Sequence, residues 1–145
     1  MKVKSKDYLS QLRTMKDALD RCYDHIEELY HEASGVKAIV YDRDRVQVSP
    51  SNKLEELMAR IDEEAEKWAR MRVRYDRKLR KISDQIMRMP NPTHAEILRL
   101  RYLDSDKDGR RLTFEAISCK IGYSYGRVKH LHGEALEAFR RRYLT

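Results

Sequence analysis

Apolar residues recur at alternating steps of four and three along two long stretches of the chain, which predicts helices that pack against partner helices. The first stretch covers residues 6–33 and ends where Ser34 and Gly35 interrupt the pattern. Its apolar positions are Tyr8, Leu12, Met15, Leu19, Cys22, Ile26, Leu29 and Ala33. We therefore expect a first helix with one continuous apolar seam.

A second seam follows a segment at about 34–52 that lacks helical period and predicts a loop. Ser51 or Asn52 can cap the second helix, and Pro90 and Pro92 lie at its end. The seam consists of Leu54, Met58, Ile61, Ala65, Trp68, Arg72, Tyr75, Leu79, Ile82, Ile86 and Met89. The second helix would be on the order of 55 Å long at about 1.5 Å per residue, which exceeds the diameter of a compact domain.

Charge is divided unevenly along the second helix. Residues 53–66 carry two Lys or Arg against six Asp or Glu, whereas residues 67–88 carry nine against two. This division complements the helix dipole, and it also affects which helix can pack beside the second helix. The first helix ends in acidic residues, so a hairpin of the two helices would place acid beside acid. Two antiparallel copies of the second helix would place acid beside base, and we predict a homodimer through the long helices.

Three short helices are predicted after Pro92. Thr93 and Glu96 have the spacing of a capping box, and Thr113 and Ser124 can cap the next two helices. Their apolar positions are Ile97, Leu98, Leu100, Leu103, Phe114, Ile117, Ile121, Val128, Leu131, Ala135, Leu136 and Phe139. Gly122 ends the second of these helices and forms the turn before the third, as in a helix-turn-helix unit. The sequence thus predicts an all-α fold, with a coiled-coil body at 1–89 and a helix-turn-helix domain at 90–145.

Composition adds a preference for anionic partners. The chain of 145 residues has a formal net charge of +7, which suits nucleic acid. The two cysteines form no metal-binding or disulfide pattern, and the N-terminus lacks the apolar core of a signal peptide. Apart from one calcium-like loop, described below, we find no pattern of a catalytic, metal or cofactor site. We expect a soluble, non-enzymatic cytoplasmic protein without a cofactor.

Two segments resemble a known family. ILRLRYL (97–103) and TFEAISCKIGYSYGRVKHLHGEAL (113–136) resemble region 4 of bacterial sigma factors. They are more similar still to phage regulators of late transcription of the ArpU and RinA type and their relatives. Those relatives also resemble the N-terminal half, through YLSQLR (8–13) and DRVQVS (44–49). The resemblance implies a DNA-binding transcription regulator of phage or prophage origin in a bacterial host, with RNA polymerase as a further candidate partner.

The predicted last helix, 125–139, is the candidate reading element. Its inner face is defined by Val128, Leu131 and Ala135, so the opposite face is free for the major groove of duplex DNA. The candidate base contacts are Tyr125, Gly126, Lys129 and His130. The candidate phosphate contacts are Arg110, Arg111, Thr113, Lys120, Tyr123, Ser124 and Arg127.

Two other functions fit the same pattern. A small-terminase-like adaptor for phage DNA packaging also joins helix-turn-helix units to coiled coils. A helical scaffold that binds RNA polymerase, and not DNA, would share the helical body. Ring-forming stoichiometry would favour the first, and absence of DNA binding would favour the second.

The segment DSDKDGRRLTFE (104–115) matches the spacing of a calcium-binding EF-hand loop. Its ligands would be Asp104, Asp106, Asp108 and Glu115. Arginines occupy its seventh and eighth positions, and the chain contains no second such loop. We therefore favour a solvated turn over a calcium site, with Glu115 in the first turn of a helix.

Overall fold

The computed structural model describes residues 4–42 and 48–145, and within these ranges the chain forms helices and no β-strand. The helices are α1 (Ser5–Asp42), α2 (Val48–Met87), α3 (Pro92–Leu98), α4 (Phe114–Ile121) and α5 (Tyr125–Tyr143). A π-helical turn at Arg99–Leu103 follows α3. Two compact units result: the head unit, Met1–Thr14 with Asp76–Thr145, and the hairpin unit, Met15–Tyr75. The predicted all-α fold, with long helices before a helix-turn-helix, is confirmed.

In the hairpin unit, α1 and α2 pack against each other in antiparallel directions. Leu29 and Ala33 of α1 form one buried cluster with Leu57 and Ile61 of α2. Towards the other end of the unit, the Cys22 sulfur lies 3.7 Å from the backbone oxygen of Glu64. The partner of the first helix is therefore the second helix of the same chain.

The expectation that like charges would oppose this hairpin is wrong. Six acidic side chains of the two helices face solvent, where water screens their repulsion, while apolar side chains form the contact. These exposed residues are Asp24, Glu27, Glu28, Glu32, Glu55 and Glu56. The homodimer remains a prediction, although it is no longer needed to give α1 a partner.

The first helix also continues beyond the predicted stop at Ser34 and Gly35. Val36 packs against the buried cluster of the hairpin, and α1 extends to Asp42. An interior glycine costs about 1 kcal/mol relative to alanine, which is less than burial of an apolar side chain can return. The predicted loop at 34–52 is thus too long at both ends, and residues 43–47 lie outside the described residues.

The seam predicted on α2 is partly wrong. Leu57, which the seam omits, is buried, whereas Met58 is 43% exposed and Ala65 is exposed. The later positions Ile82 and Ile86 are buried as expected. A straight helix of 3.6 residues per turn drifts relative to a strict heptad, so one seven-residue pattern does not fix the buried face over 40 residues.

The start of α3 differs from the predicted capping box. Asn91 is the N-cap, and its side-chain oxygen accepts hydrogen bonds from the backbone N–H groups of Thr93 and His94. Pro92 occupies the first turn, where its missing N–H and fixed φ suit a helix start. Glu96 pairs with Arg99 at 2.8 Å instead of reaching back to the cap.

The helix-turn-helix elements form as the sequence predicts. Thr113 caps α4 through Ala116 N, and Ser124 caps α5 through Arg127 N. Gly122 ends α4 with a φ of 76°, a left-handed conformation that glycine adopts without steric cost. The buried cluster beneath these helices consists of Leu100, Leu112, Ile117 and Val128.

The first turns of α1 belong to the head unit. The Ser5 hydroxyl donates to the backbone oxygen of Leu136 at 2.8 Å, and the Tyr8 ring lies 5.8 Å from the Phe139 ring. The Tyr8 hydroxyl also donates to the Gln85 side chain of α2 at 2.9 Å. Consequently the first turns of α1 pack on α5 within the head unit.

Candidate nucleic-acid interface

The outer face of α5 carries the candidate base contacts. Val128, Leu131 and Ala135 are buried, which fixes the rotation of α5 on the head unit. All four predicted base-contact residues are exposed on the other side, namely Tyr125, Gly126, Lys129 and His130. The N-terminal half of α5 is therefore accessible to a groove of duplex DNA, as helix-turn-helix docking requires.

Lys129 and Tyr125 form a pair within this surface. The Lys129 ammonium lies 5.3 Å from the centre of the Tyr125 ring, a cation–π distance. Tyr125 is 45% exposed, so the ring still presents area to a partner. The pairing keeps a hydrogen-bond donor and an aromatic face side by side at the start of α5.

The imidazole of His130 lies beside a carboxylate one turn along α5. Its Nε2 lies 2.8 Å from Oε1 of Glu134. The other oxygen of Glu134, Oε2, lies 3.5 Å from Nε2 of His94 in the first turn of α3. One carboxylate therefore joins two imidazoles from different helices.

The candidate phosphate contacts are all exposed: Arg110, Arg111, Thr113, Lys120, Tyr123, Ser124 and Arg127. They fall into two groups, one before α4 and one between the end of α4 and the start of α5. Seven residues along α4 separate Thr113 of the first group from Lys120 of the second, which is about 10 Å. The oxygens of Thr113 and Ser124 already accept the capping bonds, so only their hydroxyl hydrogens remain for phosphate.

The loop that carries the first group is anchored by Arg13 of α1. Its guanidinium donates to the backbone oxygen of Gly109 at 2.9 Å, to Ser105 Oγ at 3.2 Å and to the backbone oxygen of Asp104 at 3.4 Å. Within the loop, Gly109 adopts a φ of 77°, which permits the tight turn. Arg13 thus binds the loop backbone at the residue that precedes Arg110.

The structure does not bring the four carboxylates of the calcium-like pattern together. Asp104 pairs with Arg99 at 2.8 Å, and Asp106 accepts from the backbone N–H groups of Asp108 and Arg110. Glu115 lies in the first turn of α4. Among the described residues, no three His, Cys, Asp or Glu side chains converge as metal ligands.

A buried polar contact that the sequence did not predict lies behind the interface. Nε2 of His132 lies 2.8 Å from the Tyr102 hydroxyl, and the Phe114 ring packs edge-on against the imidazole at 4.9 Å. Arg101 covers that phenyl ring at 4.2 Å and donates to the backbone oxygen of Leu112. The contact ties α4, α5 and the π-helical turn together.

Burial determines the protonation of this contact. It lowers the pKa of His132 to about 4, and the positive charges of Arg101, Lys6 and Arg111 add to the effect. Burial also raises the pKa of the Tyr102 hydroxyl. Both groups are therefore neutral at neutral pH, and the hydroxyl can donate to an uncharged imidazole.

Four residues of the site escaped the sequence prediction. His132 follows Leu131 and precedes Ala135 by three residues, so its helical position alone places it on the inner face. Arg13, His94 and Glu134 act through contacts that depend on the tertiary arrangement. Arg13 is separated from Gly109 by 96 residues, and no local pattern announces such a contact.

Comparison with protein families identifies the helix-turn-helix. Residues 91–141 match the family model described as Sigma-70, region 4. Comparison with curated proteins and with solved structures finds no further match. The matched range contains α3, α4 and nearly all of α5, so the head unit includes a sigma region 4-like domain of the kind that binds DNA. No helix in the described ranges combines the length and apolar character of a membrane span.

Proposed function

We propose that the protein is a DNA-binding transcriptional regulator that reads duplex DNA with the exposed face of α5 in the major groove. The observation that carries this proposal is the exposure of Tyr125, Lys129 and His130 within the region 4-like segment. Lys129 offers donors to guanine O6 or N7, and the Tyr125 ring offers an apolar surface to a thymine methyl group.

The candidate phosphate contacts would fix the register on the duplex. Residues 94–145 hold eleven Lys or Arg against seven Asp or Glu, a net charge of +4. This excess is modest for a nucleic-acid-binding domain, and we expect weak binding by one head unit alone. A second copy, or contact with RNA polymerase, would supply the missing affinity.

The proposed homodimer has a candidate surface on α2. Met58 and Ala65 belong to the heptad seam but face solvent, because Leu57 and Ile61 make the contact with α1. An antiparallel second copy of α2 would bring its basic half beside the acidic half of the first. Light scattering at micromolar concentration tests this surface, and a strictly monomeric protein would remove it from the proposal.

The proposed setting is a phage or prophage regulator in the cytoplasm of a bacterial host, with the DNA-binding function confined to 90–145. This part rests on the resemblance of YLSQLR, DRVQVS and the region 4-like segments to regulators of the ArpU and RinA type. Such a regulator needs no catalytic centre or cofactor of its own. Selection of bound sequences from random duplex DNA would reveal whether the target has promoter-like spacing.

Fluorescence anisotropy with a labelled random duplex tests DNA binding directly. Binding should appear at low salt and weaken with a log–log slope of about 0.9 per phosphate contact. Lys129→Ala should reduce affinity for a selected site, whereas Lys16→Ala removes a cation from the hairpin unit and should not. Absence of binding to any duplex at low salt would reject the proposal and favour a scaffold that binds protein.

A further inference from the structure

The hairpin unit has two unlike sides, which the contacts between α1 and α2 define. Cys22 of α1 lies beside Glu64 of α2, and Leu29 belongs to one buried cluster with Leu57. Each residue of a helix is rotated by about 100° from the one before it. Because α1 and α2 run in opposite directions, the residues that follow these contact residues turn towards one side of the hairpin. The residues that precede them turn towards the other side.

One of the two sides is apolar and uncovered. The positions that follow the contact residues include Tyr23 and Tyr30 of α1 and Met58 and Ala65 of α2. All four are exposed, and the exposed fractions of Tyr23, Tyr30 and Met58 are 51%, 53% and 43%. Ile26 lines one groove on α1 together with the two tyrosines. We name this side the aromatic face; it consists of Tyr23, Ile26, Tyr30, Met58, Ala65 and Ala69.

The opposite side is charged. The positions that precede the contact residues are all polar and exposed: Arg21, Glu28, Glu32, Glu56, Arg60 and Glu63. Arg21 and His25 of α1 share a groove with Lys67 of α2, so both helices contribute to this side. Water covers charged side chains at little cost, whereas several large apolar side chains exposed on one face indicate an interaction surface.

The charge of α2 indicates which partner fits the aromatic face. Within the hairpin unit, residues 58–66 carry one Lys or Arg against four Asp or Glu, whereas residues 67–75 carry four against none. A second copy in antiparallel orientation, with its two-fold axis at this boundary, places acid beside base on both sides of the axis. In that register Ala65 lies opposite Ala69 of the second copy, and their small side chains let the helices approach closely. Duplex DNA does not fit here, because the carboxylates of Glu27 and Asp62 border the face.

The area of the aromatic face is sufficient for a modest dimer. Residues 58–75 of α2 span about 26 Å, and two helices side by side are about 20 Å wide. Each copy would then cover about 500 Å², or about 1,000 Å² in total, which is the lower end for a specific interface. We therefore expect association in the micromolar range.

We propose that the aromatic face binds the same face of a second copy in antiparallel orientation, so that two hairpin units form a four-helix bundle. This inference rests on the proposed homodimer and adds two features to it. The first helix contributes Tyr23 and Tyr30 to the interface, and Ala65 faces Ala69 of the second copy.

Substitution of Tyr23 tests the contribution of α1. Sedimentation equilibrium of the full chain gives the Kd of the dimer, and Tyr23→Gln should raise it about tenfold through loss of a central aromatic ring. Arg21→Gln is the matched control, because it shortens an exposed side chain on the charged side of the same helix, and the Kd should not change. Circular dichroism should show wild-type helix content for both variants, since neither side chain is buried. A Kd unchanged by Tyr23→Gln would overturn the inference.

Paired charges test the antiparallel register. Ala65→Lys places a cation against the basic part of the second copy, and Ala69→Glu places a carboxylate against the acidic part. Each variant alone should dimerise at least about tenfold more weakly. An equal mixture of the two should associate with a Kd close to that of the wild type, because the introduced lysine then faces the introduced glutamate. Ala59→Lys is the control and should have no effect, since Ala59 lies two positions after Leu57, on the side of α2 turned away from α1. A mixture that associates no better than either variant would contradict the proposed packing.

These experiments separate the inference from the proposals on which it rests. A wild-type chain that stays monomeric throughout the micromolar range refutes the homodimer and the four-helix bundle together. Its binding to a labelled duplex, measured by anisotropy, still decides the DNA-binding function of the head unit. A dimer that tolerates both Tyr23→Gln and Ala65→Lys keeps the homodimer but rejects the aromatic face as its interface.

Discussion

The Tyr102 hydroxyl lies 2.8 Å from Nε2 of His132 in the interior of the helix-turn-helix. His132 is only 9% exposed, so the imidazole and the hydroxyl satisfy each other's hydrogen bond in place of water. Tyr102→Phe removes the hydroxyl and leaves a buried nitrogen without a partner, at a cost of about 1 to 3 kcal/mol in the free energy of unfolding. Urea denaturation monitored by circular dichroism measures this loss. Tyr123→Phe removes an exposed hydroxyl from the turn and should be close to neutral.

The same histidine predicts a loss of stability in mild acid. Its pKa is lowered to about 4 in the folded protein, whereas an unfolded chain binds the proton near pH 6.5. The unfolded state therefore takes up the proton first, and the stability that is complete above pH 6.5 declines as pH falls towards 4. Between pH 7.5 and 5.5 the loss from this residue should be about 1 kcal/mol.

Denaturation at those two pH values, repeated with His132→Gln, isolates this contribution. The variant should be less stable at pH 7.5 but should lose much of the difference between the two pH values. An identical pH dependence in the variant would show that His132 is not the group responsible.

The cap of α3 gives a prediction that separates two neighbouring residues. Asn91→Ala removes the oxygen that accepts the Thr93 and His94 N–H groups and should cost about 1 kcal/mol. Thr93→Ala keeps both bonds, because only the backbone of Thr93 takes part in the cap. Thermal unfolding should therefore show a larger decrease for Asn91→Ala. Equal decreases would support the capping box that the sequence first indicated.

The hydrogen bonds of Arg13 predict that α1 stabilises the loop at residues 104–111. Arg13→Ala removes the donors that bind Gly109, Ser105 and Asp104, so the amides of residues 104–111 should exchange their hydrogens faster. The salt dependence of DNA binding should weaken as well if Arg110 contacts phosphate. Lys16→Ala, on the same helix, is the control, since Lys16 forms an i,i+4 ion pair with Asp20 and no hydrogen bond or ion pair with the loop among the described residues. Unchanged exchange in Arg13→Ala would mean that the loop holds its shape alone.

Gly126 and Gly133 allow stability and binding to be separated. A Cβ built at either position meets no atom within 4 Å, so alanine should stabilise α5 by about 0.5 to 1 kcal/mol at each. Gly126 lies in the first turn, where the backbone would come close to DNA, and Gly126→Ala should weaken DNA binding. Gly133→Ala, two turns further along, should not. Full affinity in Gly126→Ala would show that close backbone approach is not required.

The sequence predicted those parts of the fold whose determinants are local. Thr113, Gly122 and Ser124 set the helix-turn-helix because caps and left-handed turns depend on one or two neighbouring residues. The predicted end of α1 was wrong because the packing of Val36 on the buried cluster outweighs the helix-breaking tendency of Gly35. The exposed face of α5 followed from helical period, which needs no knowledge of the rest of the chain.

The remaining features depend on residues brought together from distant parts of the chain. Leu57 replaces Met58 in the core of the hairpin because the partner helix, and not the heptad alone, selects the buried face. The contact of Glu134 with His94 spans 40 residues, and no pattern within α5 indicates it. The helical position of His132 indicates that its side chain is buried, but nothing in the sequence indicates that Tyr102 is its partner.

The bond from Ser5 to Leu136 joins residues 131 positions apart. During synthesis, the opening turns of α1 leave the ribosome long before α5 exists, so they must wait for their packing partner. A nascent chain therefore cannot complete the head unit until α5 has been synthesised and has left the ribosome. A fragment that starts at residue 90 would lack Ser5, Leu9 and Leu12, and it would expose the apolar surface that these first turns cover.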